Sequence, residues 1–231
     1  MLAAAHLLAI GAFAPPSRVA LAAVVPTRAT LPACASSAEA SMRKIVVGYA
    51  LASAALCTSA VQADTLGAAV RLSSAGAAAL DFAPTAANQL ASSAAALDNP
   101  GPLSMRWALL VRGKVLAEFS GLALMLAGRG TARACAAVGV TMCGHLAFWL
   151  LGAADVRHDD AGDPAPVPPA VARTIGTADA ALLVAALLGA FAPARRVQKA
   201  GATVTALALA TISLEAAVSK LRARLAPPSG A

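Results

Sequence analysis

The sequence predicts an all-α fold: a polytopic membrane protein whose core is a four-helix transmembrane bundle. Three observations predict it. Apolar residues make up 59% of the 231 residues and charged residues only 13%, about half the charged share of a soluble domain. Four apolar segments, 107–127, 134–154, 175–192 and 200–219, each approach the roughly 20 residues that cross a bilayer. Charged residues bracket these segments. Alanine inflates the apolar figure, since 66 residues are Ala. Insertion therefore rests on Leu, Val, Ile and Phe, which return more transfer free energy per residue.

The chain opens on an address. Residues 1–41 hold Ala, Ser, Thr and Pro with Arg18 and Arg28, and Glu39 as the single acid. That is the composition of an organelle transit peptide. The run Ala12-Phe13-Ala14-Pro15 resembles the junction of the two-part plastid presequences found in algae with secondary, red-derived plastids. The resemblance implies a plastid destination. Residues 42–63 follow as a second signal. Met42-Arg43-Lys44 is basic, Ile45 to Ala60 is apolar, and Val61-Gln62-Ala63 offers small residues for cleavage. Sixteen apolar residues are short for a span, and the pattern resembles a thylakoid-type transfer signal. Cleavage would make Asp64 the new N-terminus, and a retained anchor is the alternative.

Residues 64–104 are Ala- and Ser-rich. Pro84 and Asn99-Pro100-Gly101-Pro102 are expected to break them into short, weakly amphipathic or flexible pieces before a linker. The membrane domain, 105–220, comes next, and a basic tail, 221–231, closes the chain. The loop between the second and third spans carries Asp155, Asp159, Asp160 and Asp163 with four prolines. It is expected to be extended and solvated.

The first span is the weakest, because it carries Arg112, Lys114 and Glu118. A central charge costs about 2.5–3.5 kcal/mol on the insertion scale, and the segment's six Leu, two Val and one Phe return roughly 4 kcal/mol. Insertion then needs a pair. Lys114 lies four residues before Glu118, on the same helix face. With antiparallel threading, Arg112, Lys114, Asp179 and Glu215 fall in one leaflet. The cluster Arg112, Lys114, Glu118, Asp179 and Glu215 is either a set of interhelical ion pairs or a polar pathway for protons or a small solute.

His145 lies in the middle of the second span beside Phe148 and Trp149. It is a candidate ligand for a tetrapyrrole metal, or a core histidine bonded to a neighbouring helix. No other cofactor and no metal site is expected. Cys135 and Cys143 are eight residues apart, about 12 Å along a helix, too far for a disulfide with each other. With Gly139 they form a small face suited to close helix packing.

The net charge of +7 invites a nucleic-acid partner. Removing residues 1–63 lowers it to +4, with 14 cations against 10 acids. No basic run or aromatic platform remains, so no nucleic-acid partner is expected. The turns at 129–133 and 194–199 carry five cations and no acid, which favours a stromal face there. Lys220, Arg222 and Arg224 on the other side dissent. No phosphate loop, metal helix or nucleophile elbow is present in the sequence. The expected partners are the bilayer and other subunits of a membrane complex. The leading expectation is a non-enzymatic accessory subunit. A transporter or channel-like protein and a tetrapyrrole-binding protein are the alternatives.

Overall fold

A computed structural model describes residues 33–225, with side chains at position 40 and from 42 onward. The described residues form helices and no strand; His158 and Pro164 make one isolated antiparallel bridge. The Ala-Phe-Ala-Pro run lies outside the described residues. Helix α1 is Ala33–Ala60, α2 Thr65–Ala77, α3 Ala83–Asp98 and α4 Pro102–Leu126. Helix α5 is Thr131–Leu150, α6 Ala153–Val156, α7 Pro169–Phe191 and α8 Arg195–Leu225. Successive long helices run antiparallel. The spine of the bundle is α4 on α5, α5 on α7, and α7 on α8.

Three described helices are long and apolar enough to cross a membrane: α5, α7 and α8. The count is three where four are expected. Helix α4 has the length, but any stretch of it long enough to span includes Arg112, Lys114 and Glu118. Its polarity is inverted relative to a soluble helix. Leu109, Leu116 and Leu124 are exposed, whereas Lys114 and Glu118 are buried.

The segment after residue 64 departs from expectation. Helices α2 and α3 are joined by a π-helical turn, Ala78–Phe82, into 34 uninterrupted helical residues. Pro84 has no N–H to give, and its ring crowds the carbonyl of Leu80. Opening one turn to a wider repeat absorbs both defects without a break. Ala77 and Ala83, which flank the turn, keep right-handed helical angles. Alanines too small to make a core by transfer energy are strong helix formers and let backbones approach. Val70, Ser74, Ala75 and Ala77 are buried, and α2 packs along α8. Helix α1 lies against α2, α3 and α4, with Tyr49 and Leu56 fully buried.

Close packing uses one member of the Cys135, Gly139 and Cys143 face. Cys135 is buried and meets α7 at Gly189, but Cys143 is exposed. A Cβ at Gly139 would find only Leu187 and Leu183, at 3.7 and 3.9 Å. Cys135 makes one tight approach, its Sγ 2.7 Å from where a Cβ at Gly189 would fall, and others lie off this face. A Cβ at Gly121 would fall 2.8 Å from the Ala137 carbonyl oxygen, and one at Gly201 would fall 2.5 Å from the Gly189 nitrogen. The α4–α5 and α7–α8 crossings are therefore set by Gly121 and by the Gly189–Gly201 pair.

The acidic loop is not extended. Asp159 Oδ1 accepts from the amides of Ala161 and Asp163 at 2.9 and 3.0 Å, which closes a turn. Gly162 has φ +87°, and a Cβ there would strike the backbone of Ala95 at 2.6 Å. The loop is thus pressed onto the end of α3. His158 is buried, with Nδ1 2.8 Å from the Val156 carbonyl and Nε2 3.4 Å from Ser104 Oγ. Asp159 folds the loop locally, while Asp155, Asp160 and Asp163 are exposed, so the loop is solvated as expected but turned in place of extended.

One residue ties two helix starts together at the opposite end. Asp64 is the N-cap of α2, where Oδ1 accepts from the Gly67 amide at 2.8 Å. Helix α5 has Gly130 at its N-cap and so no capping side chain of its own. Asp64 supplies it: Oδ2 accepts from the Thr131 amide at 3.3 Å, and the Thr131 hydroxyl donates to Oδ1. The hydroxyl of Thr131 and the Gly67 amide hold the Asp64 carboxyl below the usual carboxylate range. A lowered native value means the contribution is complete above the unfolded value of about 4 and fades as pH falls below it. Asp64→Ala should cost about 1–2 kcal/mol in thermal unfolding of the detergent-solubilised protein at pH 7. That difference from wild type should shrink below about pH 4.

Candidate functional site

The site is built around one carboxylate. Glu118, on α4, is fully buried. Lys114 Nζ, one turn earlier, donates to its Oε1 at 2.8 Å. His145 Nε2, on α5, lies 2.7 Å from the same oxygen. Tyr49, on α1, donates its hydroxyl to Oε2. A carboxylate only accepts, so the His145 Nε2 must carry the proton. Lys114 also donates to Gln89 Oε1 of α3 at 3.2 Å and lies 5.9 Å from the ring centre of Phe148. Four helices thus converge on one ion pair.

Removing a charge from water costs several kcal/mol per ion even after relaxation. Hydrogen bonds to a charged group contribute about 1.5–3 kcal/mol each. Three of them on Glu118 are of the size needed to offset its burial. This explains how a chain so poor in charge tolerates two charges in its interior.

The network forms one wall of a cavity of about 270 Å³. Asp81, Thr85 and Gln89 line it from the π turn and α3, Lys114 from α4, and His145 and Trp149 from α5. Arg157 contributes from the loop, and Ile175 and Asp179 from α7. Aromatic rings meet along it in tilted or edge-on contact: Trp107 and Phe148 are 5.7 Å apart, Phe148 and Trp149 5.2 Å, and Phe82 and His145 5.3 Å. Trp107 is anchored by donating Nε1–H to Ser92 Oγ at 3.2 Å.

Of the residues expected to cluster, Lys114 and Glu118 pair, and Asp179 shares the cavity with Lys114. Arg112 is exposed on the outer side of α4 and does not join them. Glu215 is half-buried on α8, three residues beyond Ile212, which lines the cavity. His145 is not alone in its helix, because Glu118 holds it. Among the described residues no three His, Cys, Asp or Glu side chains gather to hold a metal ion.

Several contributors lie outside the expected spans. Tyr49 sits in the apolar half of the presumed signal, and Asp81, Thr85 and Gln89 in the segment expected to be thin. Their spacing carries a signal, since polar residues at i, i+4 and i+8 make a single stripe on an otherwise alanine helix. Arg71 is a further one. Its guanidinium is fully buried and caps the end of α4, with Nη1 2.7 Å from the Met125 carbonyl and 3.0 Å from Ser59 Oγ.

Glu118→Ala should destabilise the detergent-solubilised protein by about 3–5 kcal/mol, because Lys114 is left buried against Gln89 alone. The double variant Lys114→Met with Glu118→Leu should cost clearly less than Glu118→Ala. Thermal unfolding of the two variants in parallel checks this order.

No protein-family model, no curated protein and no solved structure matches this chain. What the site does is accordingly read from its own side chains.

Proposed function

We propose that the chain is an integral membrane protein that binds a small polar solute in the cavity of its bundle and passes it across the membrane. The observation that carries this reading is the cavity itself. Lys114, His145, Asp81, Asp179 and Arg157 all line it. Intramembrane ionisable groups that face a cavity are the usual mark of a solute or ion pathway. An accessory subunit held by small-residue packing has no need of such a wall. At about 270 Å³, the cavity falls below the roughly 300–1,000 Å³ that encloses a drug-sized ligand. That favours a solute smaller than a tetrapyrrole at His145.

We further propose a plastid membrane, the thylakoid, on the strength of the Ala-Phe-Ala-Pro run, the Arg- and Ser-containing segment around it and the thylakoid-type pattern of residues 42–63. Residues 42–63 are read as a retained helix rather than a cleaved signal. The support is Tyr49, which donates to Glu118, and Leu56, which is fully buried. Cleavage after Ala63 would remove one of the three donors on Glu118.

Two experiments test these readings. Liposomes carrying the protein should swell faster than empty ones in an isosmotic solution of at least one class of small solute: cation, zwitterion, anion or neutral. Ile175→Trp, which places a large ring into the cavity, should return swelling to the empty-liposome rate. Empty-liposome rates with every solute class contradict a pathway. For address and processing, a C-terminal fluorescent fusion should collect in plastids, and N-terminal sequencing should find a start upstream of Tyr49. A start at Asp64 contradicts retention.

A further inference from the structure

We infer that the outer groove between α4 and α5 holds one anionic diacyl lipid, its headgroup phosphate on Arg133 and an acyl chain along the groove. The inference rests on the membrane reading above and not on the central cavity. Three observations carry it. The first is shape. Leu124 and Ala127, at the end of α4, and Arg133, Ala136, Ala137 and Val140 of α5 line a groove of about 280 Å³. The α5 positions are spaced i, i+3, i+4 and i+7, so they form one stripe. From Arg133 to Val140 the stripe runs about 10 Å, about a third of a hydrocarbon core roughly 30 Å thick. Leu124, Ala127 and Val140 are exposed, so the groove opens on the outside of the bundle. The second is the place of the cation. Arg133 lies in the first turn of α5, a helix just long enough to cross the core, so it stands at headgroup depth. Its side chain turns back over Gly128, where an added Cβ would fall 3.0 Å from Nη1. The guanidinium is thus at the mouth of the groove, with apolar side chains beyond it. That is the shape of an anionic amphiphile, and the guanidinium fork matches a phosphate. The third is charge. The sequence holds no acid between Glu118 and Asp155, while Arg129 and Arg133 are both exposed. At the same end, Asp64 is engaged by the Gly67 amide and Thr131. Arg195, Arg196 and Lys199, which open α8 there, are exposed as well. Such an end draws an anionic headgroup over a zwitterionic one. A partner's helix would have to bring its own acid to Arg133, whereas the bilayer supplies a phosphate with a chain attached.

The delipidated full chain in detergent is titrated with phosphatidylglycerol and with phosphatidylcholine of the same acyl chains, and bound lipid is counted by native mass spectrometry. Phosphatidylglycerol should fill one site and bind about fivefold or more tightly than phosphatidylcholine, the effect of roughly one cation at the headgroups. Arg133→Gln should remove most of that preference. Ala136→Leu, which fills the groove, should weaken both lipids together. Ala127→Leu, at an exposed position, should do the same if Ala136→Leu fails to fold. Arg196→Gln, at the same end but outside the groove, should leave the preference intact. Equal affinity for the two lipids overturns the site, as does a loss in Arg196→Gln as large as in Arg133→Gln. Displacement of the lipid by glycerol 3-phosphate alone overturns the role of the groove. A dimer that Ala136→Leu disperses, with no lipid preference, overturns the lipid in favour of a second copy. Each of these leaves the membrane reading standing. A chain that stays monodisperse without detergent and binds neither lipid removes that reading and the site with it.

Discussion

The fold depends on the burial of one carboxylate. Glu118 sits fully inside the bundle, and its free energy there is acceptable only because Lys114, His145 and Tyr49 all donate to it. These donors come from α4, α5 and α1, and Gln89 of α3 holds the far side of Lys114. Each helix is therefore located relative to Glu118 by a directional bond, not by apolar contact alone. In a membrane, where apolar contact between helices has no solvent to escape from, directional bonds and close small-residue packing do most of the locating.

Small residues supply the other half. The α4–α5 and α7–α8 crossings close on glycines whose added Cβ atoms would meet backbone. Two helix starts share a single cap at Asp64. An Ala-rich chain can build such contacts because alanine favours the helix and occupies little space. The same smallness leaves room where bulkier side chains stop, between α3, α4, α5 and α7. That room is the cavity, and its polar wall is the reverse side of the network that fixes the helices.

Much of this was legible in the sequence. The helical class, the apolar spans of α5, α7 and α8, and the Lys114–Glu118 spacing all follow from composition and periodicity. Other parts were not, for identifiable reasons. Pro84 is a strong breaker in an isolated helix, yet a π turn accommodates it when neighbours hold both sides. Tyr49 lies in a stretch whose length and flanks match a cleavable signal, and only a distant contact shows what its hydroxyl does. Arg112 and Lys114 are two residues apart and so point to different faces of α4; spacing alone shows that they separate, but not which faces inward. The acidic loop is solvated as its charges imply, with Asp155, Asp160 and Asp163 exposed, but its turn is not written in charge, because it depends on Asp159 Oδ1 accepting from two backbone amides.

The central claim is that Glu118 binds α1 to the rest of the bundle through Tyr49. A double-mutant cycle of Tyr49→Phe and Glu118→Gln, read by thermal unfolding of the detergent-solubilised full chain, tests it most directly. A coupling energy of about 1–3 kcal/mol is predicted, the range of a buried hydrogen bond to a charged group. Additive effects, with no coupling between the two positions, would contradict the account.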